Sequence, residues 1–275
     1  EVRLLAFPET FLPGYPFWTM IGGLESLGGP RVQEAYAAYV DAAVEVDGPE
    51  VAEISSAARD LGIFVYLGVA ERAGGSVFAS LLAIDPERGV ASVHRKLMPT
   101  YGERTVWAVG DGAGLRVHEV DGMKVGGLNC WENWMPLARY TMYAAGEQIH
   151  VATWPGSAGL NADVPRFIAL EGRVWVLLAS GLLDLGDVPR DFPFYDLIAD
   201  KPDWFCNGGS SIARPDGTWA APPVVDEERL VIADVDLSAV LRARQAFDPT
   251  GHYSRPDVFG LHVDRTRRSP VTFDG

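Results

Sequence analysis

Between residues 63 and 94 the chain places three apolar, β-branched runs in close succession, at 63–70, 76–84 and 90–94. Only 71–75 and 85–89 separate them, and both gaps carry the glycines of hairpin turns. A sheet that holds consecutive hairpins is at least partly antiparallel. The remaining sequence alternates between periods. Residues 2–7 read as a buried strand; 32–46 read as a helix with Tyr36, Tyr39, Val40 and Ala43 on one face. A second helix, from about 50 to 61, stops at Gly62. Farther on, strands at 115–120 and 124–129 flank Asp121-Gly122, and a helix at 135–145 closes at Gly146. A strand at 149–153, a helix at 164–170 and a strand at 174–179 follow. The Pro- and Asp-rich span 184–203 reads as a loop. Strands at 209–213 and 230–235 bracket Pro215-Asp216-Gly217, and 237–246 is the last helix. Hairpins interleaved with helices that return to a sheet predict a mixed-sheet α/β sandwich. With no linker, repeat or low-complexity block, residues 1–275 read as one domain.

Several function classes fall away. The formal net charge is −14, and the densest basic run is Arg265, Arg267 and Arg268, which reads as solvated surface. Phosphate backbones and anionic membranes need a basic stripe, so neither is an expected partner. No apolar stretch is long enough to span a bilayer. The two cysteines, Cys130 and Cys206, suggest a reducing compartment, and the expected location is the cytoplasm. His94, His118, His150, His252 and His262 show no metal-ligand spacing, so no metal is expected. Gly110, Gly112 and Gly114 match neither a dinucleotide fingerprint nor a phosphate loop, and no other cofactor motif is present. No Gly-x-Ser-x-Gly elbow offers a serine nucleophile.

Cys130 follows the strand 124–129 and precedes Trp131-Glu132-Asn133-Trp134. A thiol at a strand-to-helix turn projects from the sheet edge, where helix N–H groups favour a thiolate and can hold an oxyanion. Position alone leaves a second reading open, that of a small buried core thiol. Lys96, in His94-Arg95-Lys96-Leu97-Met98-Pro99-Thr100, ends another strand. Glu9 sits between apolar residues just after the first strand. An unpaired buried carboxylate is costly, and Lys96 would offset that cost.

At these residues the sequence resembles the nitrilases. The stretch 94–100, then Glu103-Arg104-Thr105-Val106-Trp107 and Gly110-Asp111-Gly112, is similar to the lysine region of that family. Residues 128–140, from Leu128-Asn129-Cys130-Trp131-Glu132 onward, resemble its cysteine region. The segment around Glu9, His150-Val151-Ala152-Thr153-Trp154-Pro155-Gly156 and His252-Tyr253-Ser254-Arg255-Pro256-Asp257-Val258 match as well.

The resemblance implies an α-β-β-α sandwich and a thiol-dependent nitrile hydrolase. Cys130 would be the nucleophile, Glu9 the general base, Lys96 the stabilising cation and Glu103 a second active-site glutamate. Trp131, Trp134, Trp154 and Tyr15 would line an apolar substrate pocket, with plain core packing the alternative for each. Glu132 is read as the anchor of the turn, and Cys206 as structural. The resemblance also implies a homodimer or a larger spiral homo-oligomer. It leaves an amidase or carbamoyl-amide hydrolase with the same three residues, cyanide hydrolysis, and a silent binding protein on this scaffold as competing readings. The family's first strand and long helix are absent ahead of Glu9, so the amino-terminal part of the domain is expected to be missing from this sequence.

Overall fold

The computed structural model describes residues 1–20, 28–199, 206–269 and 271. Of the loop expected at 184–203, positions 200–203 lie outside the described residues. The described chain contains strands β1 (Leu4–Ala6), β2 (Phe64–Ala73), β3 (Ser76–Asp85), β4 (Gly89–Arg95), β5 (His118–Val120), β6 (Met123–Asn129), β7 (Ile149–Trp154), β8 (Trp175–Ser180), β9 (Gly208–Ala213) and β10 (Trp219–Val225). Its helices are α1 (Pro30–Ala42), α2 (Pro49–Leu61), α3 (Pro136–Ala144), α4 (Ala158–Asn161), α5 (Val164–Gly172) and α6 (Leu237–Arg244).

Two mixed sheets form, one in the order β1-β2-β3-β4 and one in the order β10-β9-β8-β7-β6-β5. They face each other through an apolar layer that includes Phe64, Tyr66, Leu81, Val125, Val151 and Trp175. On the far side of the first sheet, Val51 and Ala58 of α2 pack on Val65, Leu67 and Leu82. On the far side of the second, Ile168 and Ala169 of α5 join Tyr143 of α3 over Ala152 and Val176. The expected α-β-β-α sandwich is what the chain forms. Among the described residues no helix is long and apolar enough to cross a membrane.

The helices start where composition allows. α1, α2 and α3 begin at Pro30, Pro49 and Pro136, where the missing N–H costs nothing. Gly62, at φ 65°, closes α2 in the left-handed conformation.

Three expectations are corrected. The first hairpin turns at Gly74-Gly75, with Ala73 opposite Ser76, so β2 runs through Glu71 and Arg72. Glu71 is accommodated because Arg95 on β4 clamps it with two hydrogen bonds of 2.8 and 2.6 Å. The strand paired with β9 is β10, not 230–235. Pro222 and Pro223 hid it from a propensity reading, and they are tolerated because β10 is an edge strand. Residues 230–235 run without a ladder; Val231 and Ala233 pack on the inter-sheet core while Leu230 and Ile232 stay exposed. The alternation there was real, but no partner strand accompanies it among the described residues.

Strand direction sets the place of the polar groups. β1 is parallel to β2, while β3 is antiparallel to both β2 and β4, so β1 and β4 end at the same edge of their sheet. Glu9 follows β1 and Lys96 follows β4; Cys130 follows β6 of the facing sheet.

Candidate active site

Glu9, Lys96, Glu103 and Cys130 meet in one buried corner, each no more than 2% exposed. Lys96 Nζ lies 2.8 Å from Glu9 Oε1 and donates to Glu103 Oε2 at 2.7 Å. The nearest oxygens of the two carboxylates and the Cys130 Sγ all fall within 4.8 Å of one another. The positive charge that faces these three donors is the ammonium of Lys96 itself. It also lies 5.3 Å from the centroid of the Trp107 ring, whose electron-rich face attracts a cation.

Local backbone builds this corner. A Cβ on Gly68 of β2 would stand 2.0 Å from the Pro8 carbonyl oxygen and 2.7 Å from Glu9 Cα, so only glycine lets the Glu9 segment cross that strand. A Cβ on Gly110 would stand 2.5 Å from the Lys96 carbonyl oxygen, and the Gly110 N–H instead donates to it at 2.9 Å. Glu103 sits in a 3₁₀ turn over Tyr101–Thr105 and accepts from the Thr100 N–H at 2.6 Å. The Tyr15 hydroxyl donates to its other oxygen at 2.8 Å.

Cys130 opens a 3₁₀ turn over Cys130–Trp134 and has φ 50°, a left-handed conformation that a side-chain-bearing residue enters only under constraint. The constraint is visible. Asn133 Nδ2 donates to the carbonyls of Leu128 and Cys130, at 3.1 and 2.9 Å, clasping the turn from both sides. Asn133 Oδ1 is 2.8 Å from His150 Nε2, and His150 Nδ1 is 3.0 Å from Glu147. Glu132 Oε2 accepts from the Asn129 N–H at 2.9 Å and lies 3.0 Å from His94 Nε2, while its Oε1 accepts from the Leu97 N–H. Glu132 therefore stitches the cysteine turn to His94 and Leu97, on either side of Lys96 in the chain.

Environment sets the charge states. Burial pushes the Glu9 carboxyl up to about 7; Lys96 opposes the rise and Glu103 adds to it. Burial, followed by the negative charge of Glu9, pushes the Cys130 thiol well above its ordinary range, against Lys96 and the Trp131 backbone N–H. Burial pulls the Lys96 pKa down, but Cys130, Glu9 and Glu103 together drive it above its ordinary value. The arrangement is a protonated thiol, a fixed cation, and a carboxylate whose proton affinity sits near neutrality. Such a carboxylate is suited to general-base work on the thiol.

A cavity of about 540 Å³ opens beside Glu9 and Tyr15. Of the four expected lining residues, Tyr15 is on its wall. Trp154 is 1% exposed and packs in the core below Cys130, and Trp134 stacks on Phe167 at 5.5 Å. Trp131 is 40% exposed, with its ring 6.1 Å from that of Trp154. The wall instead takes Phe17, Trp18 and Tyr39, together with Cys206, which sequence reading had set aside as structural. Nothing in the spacing of Phe17 and Trp18 marked them, and Tyr39 was legible only as part of a helix face; they converge because α1 folds over the end of β2.

A family model described as carbon-nitrogen hydrolase matches residues 1–245. A nitrilase of Bradyrhizobium diazoefficiens is 40% identical over 98% of the chain and 84% of its own length. An aliphatic nitrilase of Rhodococcus rhodochrous is 36% identical over 98% of the chain and 75% of its own length. Among solved structures, a carbon-nitrogen hydrolase from Helicobacter pylori superposes with a TM-score of 0.70 at 20% identity, over 94% of this chain and 84% of that one.

Proposed function

The chain belongs to the carbon-nitrogen hydrolase family, and from that premise we propose that it hydrolyses organic nitriles to carboxylic acids and ammonia, with Cys130 as nucleophile. The observation that carries this reading is the Lys96 ammonium held between Glu9 and Glu103 within reach of a thiol.

Glu9 takes the proton of the Cys130 thiol as sulfur adds to the nitrile carbon. The S–C bond forms, one C–N π bond breaks, and the nitrogen receives the proton, giving a thioimidate. Water activated by Glu9 adds to that carbon, and the tetrahedral species expels ammonia to leave a thioester. A second water, activated in the same way, releases the acid and returns the thiol. Lys96 and the Trp131 N–H stabilise the anionic tetrahedral species. Glu103 orients Lys96, and Tyr15 holds Glu103.

Amide hydrolysis uses the same groups and is the competing outcome. The nitrilase relatives and the Cys130-Trp131-Glu132 run favour nitriles. A panel of nitriles and their amides, assayed for ammonia with intact-mass detection of the enzyme adduct, decides between them. Ammonia from nitriles, and an adduct lost in Cys130→Ala, is the expected result. Fast amide turnover with inert nitriles, or full activity in Cys130→Ala, overturns the reading.

The same reading makes the protein a cytoplasmic homo-oligomer. Its two free thiols suit a reducing compartment, and exposed Leu137, Tyr253 and Phe259 suit a contact between copies. Light scattering on the purified protein tests the second part, and a monomeric mass would remove it.

A further inference from the structure

The cavity beside Glu9 is not chemically neutral about what enters it. Four rings form one side: Phe17 lies 5.0 Å from Phe192, and Trp18 lies 5.3 Å from Tyr39 and 5.9 Å from Phe192. These tilted and edge-on pairs are the packing that aromatic groups prefer, and all four rings line the cavity, so an aryl group entering it meets an aromatic wall. From α1, Ala35, Ala38 and Ala42 share one helix face and present only methyl groups to the same space. The charged groups on the wall are Glu9 and Asp187; no Lys, Arg or His lines it among the described residues. Lys96, which pairs with Glu9, is fully buried and already shared by two carboxylates.

Taken with the nitrile-hydrolase reading, on which this step rests, we infer that the cavity selects an uncharged aryl or arylalkyl group, so that the enzyme prefers arylalkyl nitriles to short aliphatic ones and rejects nitriles that carry a carboxylate. The volume of about 540 Å³ exceeds the need of a short alkyl chain, which would leave the ring wall partly wet or empty. A substrate carboxylate would be stripped of water against Glu9 and Asp187, with no cation among the described wall residues to receive it.

The test compares kcat/KM for 2-naphthylacetonitrile, butyronitrile and 3-cyanopropanoate. The arylalkyl nitrile is expected to exceed butyronitrile by about tenfold or more, and the carboxylate-bearing nitrile by about 100-fold, in the range that pocket fit and unpaired charge supply. Ala38→Trp, which fills the small-residue side, is expected to cut the aryl-over-alkyl preference by at least about tenfold. Its melting temperature reports that the variant is folded. Butyronitrile or 3-cyanopropanoate turned over as well as the aryl substrate, or an unchanged preference in folded Ala38→Trp, overturns this inference and leaves nitrile hydrolysis standing. Ammonia from none of the three nitriles overturns the underlying reading instead.

Discussion

Two carboxylates, Glu9 and Glu132, lie equally deep near the same thiol and have opposite acidities. Glu9 shares one ammonium with Glu103, and its Oε2 has no hydrogen-bond partner among the described residues; burial therefore wins and pushes it up to about 7. For Glu132 burial also pushes upward, but His94 and the N–H groups of Leu97 and Asn129 outweigh it, and the group stays below its ordinary range. A carboxylate with both oxygens engaged is a fixed anion that holds loops together. One left partly unsatisfied is a base, and the fold bears a stability cost to keep it so. The same contrast appears in backbone, where Cys130 is held at positive φ by Asn133 while Glu132 ties the turn down.

The strongest test of this contrast is Glu9→Gln, which is expected to lower kcat by about 100- to 10,000-fold, the range for loss of a general base. Its stability should move the other way. Because the folded pKa of Glu9 lies above its unfolded value, its contribution to stability is present below about 4.5 and lost as pH rises through about 7. Above that pH, Glu9→Gln should melt a few degrees higher than wild type, and a lower melting temperature there would break the comparison.

Glu132→Gln is the mirror case. A folded pKa below the unfolded one gives stability that is present above the unfolded value and lost as pH falls through the folded one. At neutral pH the variant should lose about 1–3 kcal/mol by denaturant unfolding, the cost of unmaking hydrogen bonds in a buried site. An unchanged unfolding midpoint would remove Glu132 from the structural role.

Wild-type kcat/KM should fall about tenfold per pH unit below an inflection near 7, because Glu9 must be ionised to accept the thiol proton. In folded Glu132→Gln the inflection should persist but move to lower pH, because the negative charge of Glu132 adds to the rise of Glu9; loss of the inflection there would show that Glu9 is not the titrating group. The smallest effect is expected from Tyr15→Phe, which takes one hydrogen bond from Glu103. A fall of about tenfold in kcat with little change in melting temperature would fit one lost bond to a charged group. No fall would place Glu103 outside the catalytic geometry.

Much of this was legible in the residue order. Strand ends were readable from period and turn chemistry, and the motifs placed Glu9, Lys96, Glu103 and Cys130 at loops where side chains leave a sheet. Proline misled the reading at β10, since propensity ignores whether a strand stands at an edge. Residues 230–235 misled it in the opposite sense, because alternation records a half-buried chain and not a paired one. The tryptophans near the motifs were natural guesses for a pocket wall, yet Trp154 and Trp134 are held in the packing around α5.

The sequence by itself therefore determined the mixed-sheet α/β class from its periodicity and, through the motifs, the side chains that meet in the buried corner, since pattern and side-chain chemistry are local properties of the chain. Tertiary structure alone decided how far apart the acidities of Glu9 and Glu132 lie and which rings became the wall. Burial, shared counter-charge and the meeting of α1 with the sheet edge depend on residues far apart in sequence, and no local pattern encodes them.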